Sequence, residues 1–185
     1  MTATVALPLA GLPPSALSRF VGRSRELAAV AELSGSTRLL TLTGAGGSGK
    51  TRLAAETVTR VAHRWDAVAW VDLAPATDSA QVANKVGAAF GPTEREESAA
   101  IAGLEQALRD RPALLVLDNC EHVINSVAGL ADRLLRGAAR PSILATVEKP
   151  SASRVRPPGW SPRWFPMKPK SFSSSGPDRS TPRLR

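Results

Sequence analysis

Gly44-Ala45-Gly46-Gly47-Ser48-Gly49-Lys50-Thr51 follows the spacing G-x-x-x-x-G-K-[ST] at every fixed position. A polyphosphate needs many N–H donors converging on one small volume, and glycines let a backbone approach and turn that tightly. A helix starting where the run ends adds the positive end of its dipole. In such a loop Lys50 reaches the outer phosphates and the Thr51 hydroxyl ligates Mg²⁺. The metal then requires a carboxylate from elsewhere in the chain. Asp118 is the candidate, since it directly follows the apolar run Leu114-Leu115-Val116-Leu117. Glu121, three residues on, is the candidate to polarise a water for attack on the γ-phosphate, at a spacing unusual for that role. The competing reading of Glu121 is a helix-start residue that complements the dipole.

These residues need elements to hold them. Residues 39–43 (LLTLT) predict a short strand ending in the glycine cluster, with a helix from Thr51 to about Arg64. Residues 67–73 (AVAWVDL) and 113–117 (ALLVL) predict two further buried strands, and 142–146 (SILAT) a fourth. Helices are expected from an Asp78 cap to about Phe90, from Ser98 to Arg109, and from about His122 to Arg136. Continuous apolar strands alternating with helices are the pattern of a parallel sheet covered on both faces. Ligands of such sheets bind beyond the carboxyl ends of the strands. Gly44–Thr51, Asp72 and Asp118–Glu121 all fall there. Asp72 reads equally as a turn residue, Cys120 as a small buried one, and Trp65 and Trp70 as core anchors. His63 reads as a favourable partner of its helix C-terminus, and His122, beside Glu121, has no nucleophile partner.

The chain has 185 residues, 43% hydrophobic and 22% charged, enough to bury the core of one domain. No run approaches the ~18 apolar residues of a membrane helix. The proline-interrupted start lacks a basic region, so a cytoplasmic protein is expected. A lone Cys120 excludes an internal disulfide framework. The net charge of +8 is unevenly spread. Residues 1–147 carry 15 Lys+Arg against 14 Asp+Glu, whereas 148–185 carry 9 against 2 and hold 8 of the 15 prolines. With no apolar periodicity, 148–185 is expected to be a disordered basic tail. The division is thus an extension (1–18), a core (19–147) and a tail (148–185).

Phe20-Val-Gly-Arg23-Ser-Arg-Glu26-Leu27, then LLTLTGAGGSGKTRLA, VAWVDLAP, LLVLDNCEHV and SILAT occur in that order. Together they resemble the STAND (NB-ARC-like) P-loop ATPase module of large bacterial transcriptional regulators of the LuxR and AfsR kind. The likeness covers residues 19–146. It implies a three-layer P-loop NTPase fold and a switch operated by ATP and ADP with Mg²⁺. In that family ADP holds the closed form, and exchange to ATP permits self-association. Carried over, Val21, Gly22 and Arg23 line the adenine and ribose side.

The chain departs from the pattern after the fourth strand. Family members continue with Ser/Thr-Arg-Glu, and the Arg resembles a γ-phosphate sensor. Here Thr146-Val147-Glu148-Lys149-Pro150 follows, so slow hydrolysis at best is expected. The family's further strand, lid and winged helix are not legible either. The expectation is therefore an incomplete sheet with residues 39–43 as an unprotected edge, and a tail from about 147 that is out of frame or truncated. Two other functions compete. The tail's Arg154, Arg156, Arg163, Lys168, Lys170, Arg179, Arg183 and Arg185, with Trp160, Trp164 and Phe172, suit nucleic-acid binding. The phosphate loop also suits a small-molecule phosphotransferase, though no Arg-rich lid follows the third strand.

Overall fold

In the computed structural model, residues 22–91, 96–148 and the backbone of 163–166 are described. The elements run α1 (Ser24–Ser36), β1 (Leu39–Gly44), α2 (Lys50–Val61), β2 (Ala67–Asp72), α3 (Ser79–Ala88) and α4 (Glu97–Leu108). They continue with β3 (Ala113–Asp118), α5 (Ile124–Gly137), β4 (Ser142–Glu148) and β5 (Arg163–Pro166). Short 3₁₀ turns at Ala62–Arg64 and Glu121–Val123 follow α2 and precede α5. All pairings are parallel, in the order β2-β3-β4-β1-β5. The alternation of strand and helix required this arrangement, because parallel neighbours need a crossover between them.

Successive residues of each strand face opposite sides, and each side has its own core. Leu40, Leu42, Val68, Trp70, Leu114, Val116 and Leu144 pack with Leu27 and Val30 of α1 and Leu53, Ala54 and Val58 of α2. On the other face Val71, Leu115, Leu117, Ile143 and Ala145 pack under α3, α4 and α5 through residues such as Val82, Leu104 and Leu134. Trp70 is buried and Trp65 lies at the margin of the first core, as their expected anchoring role requires. Asp78 caps α3 by accepting the Gln81 N–H at 2.8 Å. Among the described residues no helix is long and apolar enough to cross a membrane.

Two departures from the expected sheet matter. β4 runs to Glu148, two residues past the expected end. More consequentially, β1 is not an edge. β5 lies along it with Leu40 opposite Arg163 and Thr43 opposite Pro166, so the expected four-strand sheet is corrected to five. β5 falls inside the stretch expected to lack structure. Proline breaks and missing alternation hid it, but a parallel ladder needs only four residues of extended backbone. Pro166 closes the strand on an edge, where a missing N–H breaks no ladder that continues. The remainder of the expected tail, the 1–18 extension and Val21 lie outside the described residues. So do the nucleic-acid candidates, apart from the backbone of Arg163 and Trp164 in β5.

Candidate functional site

β1 delivers the chain to Gly44 at the carboxyl edge of the sheet, and the glycine-rich run turns it back into α2. Gly49 makes the turn at φ +83°, a left-handed conformation that a side chain would strain, and it stands at the N-cap of α2. The loop wraps Lys50, whose side chain is buried. Nζ donates to the Gly44 carbonyl at 3.0 Å and the Ala45 carbonyl at 2.9 Å. None of the ion pairs among the described residues includes it. The Ser48 hydroxyl, also in the loop, is buried with no hydrogen-bond partner among the described residues.

The neighbouring strand ends converge on the loop's helical side. Asp118, 2% exposed, closes β3. Its Oδ1 accepts the Thr51 hydroxyl at 2.9 Å and the Thr146 hydroxyl, from β4, at 2.5 Å. Burial holds the Asp118 carboxyl above the usual carboxylate range, against the hydroxyls of Thr146 and Thr51, which stabilise its ionised form. Main-chain bonds lock these ends together. Leu73 N–H donates to the Asp118 carbonyl at 2.9 Å, and Cys120 N–H to the Thr146 carbonyl at 3.0 Å.

Asn119, at φ +60°, donates from its side chain to Asp72 Oδ1 at 2.8 Å and from its main chain to Thr146 Oγ1 at 3.1 Å. Asp72 also accepts the Ala74 N–H at 3.0 Å, so its turn reading holds. His122 Nε2 faces the carbonyls of Leu73 (3.1 Å) and Ala76 (2.8 Å), which requires a proton on that nitrogen and pins the loop after β2. Cys120 is fully buried and its thiol donates to the Leu117 carbonyl; burial pushes the thiol far up.

Of the residues singled out from the sequence, Gly44–Thr51 and Asp118 come together directly. Glu121 lies at the same end of the sheet, where its Oε2 accepts the Glu148 N–H at 3.2 Å. Gly22 and Arg23 are both left-handed, at φ +76° and +63°. The Arg23 guanidinium reaches the loop: a Cβ built on Gly49 would stand 3.7 Å from its Nη1. Thr146 and the placement of Glu148 were missed, as was the role of Asn119 inside the stretch Asp118–Glu121. A threonine inside an apolar strand was the only available sign of the first.

Comparison with known proteins adds a family. The NB-ARC domain matches residues 25–127. An uncharacterized protein of Mycobacterium tuberculosis is 41% identical over 135 residues, covering 70% of this chain and 33% of its own length. A second protein of that organism, named provisionally as an HTH-type transcriptional regulator, is 39% identical over 113 residues, covering 61% of this chain and 13% of its own. The chain thus spans a third or less of these curated relatives. Among solved structures, the Signal Transduction ATPase with Numerous Domains (STAND) protein with a tetratricopeptide repeat sensor from Pyrococcus horikoshii aligns with TM-score 0.50 and 17% identity, over 89% of this chain and 25% of that one. A chain of Drosophila ORC bound to DNA aligns with TM-score 0.52 and 18% identity, over 69% and 37%. Both are likenesses of fold.

Proposed function

The chain belongs to the NB-ARC domain family, and from that premise we propose that it binds ATP or ADP with Mg²⁺ as the nucleotide-operated core of a regulatory ATPase. The observation that carries the reading is Lys50. Its ammonium is buried, donates to two loop carbonyls and has no ion pair among the described residues, and a buried charge without a counter-ion is costly. A bound polyphosphate supplies that counter-ion.

The residues present fit the ligand and its metal. Among the described residues no cluster of three or more His, Cys, Asp or Glu gathers to hold an ion alone. Thr51 and the buried Asp118 instead meet at one point, where they would hold a magnesium together with the nucleotide. When bound, the metal neutralises charge on the outer phosphates. The chain's own residues do the rest. Main-chain N–H groups of Gly44–Thr51 orient the phosphates, Lys50 turns from the loop carbonyls to the anion, and Thr146 and Asn119 hold the Asp118 end of β3 in place. Gly22 and Arg23, just before α1, face the nucleotide, the Arg23 guanidinium near Gly49, as Val21 does on the family's pattern. Glu121 is the carboxylate that orients water, and hydrolysis is slow because Thr146-Val147-Glu148 lacks the Arg that the family's pattern places there. In a longer protein of the kind named among the relatives, the output is control of transcription through self-association.

Thermal unfolding of the 185-residue chain tests the reading. At about 100 times its dissociation constant, Mg-ADP or Mg-ATP should add about 2.7 kcal/mol of stability. Lys50→Ala should lose most of that gain while still unfolding cooperatively. An unshifted midpoint, or an equal shift in Lys50→Ala, overturns it.

A further inference from the structure

β4 ends at Glu148, in register with Gly44, where β1 becomes the phosphate loop. The Glu148 carboxylate lies against that loop. A Cβ built on Gly46 would stand 2.8 Å from Oε1 and 3.1 Å from Oε2, so both oxygens face the middle of the glycine run. The position is held from below, since Glu121 accepts the Glu148 main-chain N–H at 3.2 Å. None of the ion pairs among the described residues neutralises Glu148. The loop's one lysine is turned toward the Gly44 and Ala45 carbonyls. A fixed negative charge therefore stands at the rim of a loop whose donors gather phosphate oxygens.

We propose that Glu148 is a specificity-determining residue that biases the site toward a nucleoside diphosphate over a triphosphate. The inference rests on the phosphate-loop reading above. Repulsion grows with the charge brought near the carboxylate. A triphosphate carries one more unit of it than a diphosphate, and more of its oxygens must share the loop with Glu148. At about 5 Å, one unit charge opposing another across a solvent-facing rim changes an equilibrium by about fivefold to tenfold. The same charge makes the chain a holder of the diphosphate form. Exchange to triphosphate then requires a cation brought to Glu148, or its displacement from Gly46.

Calorimetric titration of the full chain with Mg-ADP and Mg-ATP tests this, using wild type, Glu148→Gln, Glu148→Ala and Lys50→Ala. Glutamine keeps the shape and the main-chain bond to Glu121, and alanine is the second variant at the same exposed position. Wild type should prefer ADP. Each Glu148 variant should move the ATP-to-ADP affinity ratio about fivefold to tenfold toward ATP, while Lys50→Ala weakens both ligands. If wild type binds both nucleotides and the ratio changes less than twofold in the Glu148 variants, the inference is overturned and the site stands. If wild type binds neither, both fall together.

Discussion

Asp118 serves two opposed demands. A metal site needs an ionised carboxylate, yet the apolar end of β3 favours the neutral acid, and burial outweighs the hydroxyls of Thr146 and Thr51. The folded carboxyl therefore titrates above its unfolded value. For a group of that kind the favourable contribution is complete below the unfolded pKa and is lost as pH rises through the folded one. Without nucleotide and in the presence of a chelator, Asp118→Asn should accordingly be more stable than wild type at pH 7. The advantage should shrink as pH falls toward 4, as urea midpoints at the two pH values will show. With Mg-nucleotide the order should reverse, because the amide cannot replace a carboxylate at the metal. Equal midpoints at all pH values would contradict the assignment. Lys50 is held differently, its ammonium donating to the Gly44 and Ala45 carbonyls.

At the scale of elements, the site depends on strand ends that must not slide. Arg38, the residue before β1, secures one of them. Its guanidinium donates to the carbonyls of Leu135 (2.9 Å), Ala138 and Pro141 (3.2 Å), while its own carbonyl accepts the Ile143 N–H at 2.7 Å. These are the last carbonyls of α5 and its exit loop, which have no partners within the helix, and a cation there also suits the dipole. Arg38→Ala should cost about 2 kcal/mol by chemical denaturation, as loss of hydrogen bonds from a charged donor does. Lys at this position should restore only part, since one ammonium cannot span three carbonyls in a plane. No loss would mean that solvent substitutes for the guanidinium.

For the whole molecule, the deciding element is β5. A five-stranded sheet ordered β2-β3-β4-β1-β5 puts the phosphate-loop strand inside the sheet, with β4 on one side and β5 on the other. Removing residues 149–185 exposes the outer backbone of Leu40–Thr43, a row of unpaired groups that recruits another chain. The shortened protein should unfold at lower denaturant and associate more strongly with rising concentration in sedimentation than the full chain does. If it stays monomeric and equally stable, β5 contributes nothing to the sheet.

Much of this organisation was legible in the sequence because it is local. A glycine-rich run with Lys50 and Thr51 can be read from spacing, since the loop's chemistry lies within eight residues. The four apolar strands and intervening helices followed from patterns no longer than an element, and Asp78 announced its helix by type and position. Asp118 was found because an acid after an apolar strand stands out. What the tertiary structure decided is pairing between distant segments. Thr146 meets Asp118 only when β4 lies beside β3, Arg38 reaches α5 only across the sheet, and β5 exists only because β1 offers it a ladder. Glu148 comes to Gly46 for the same reason. Parallel register aligns strand ends that lie about a hundred residues apart, and no property of either segment alone records that they will meet.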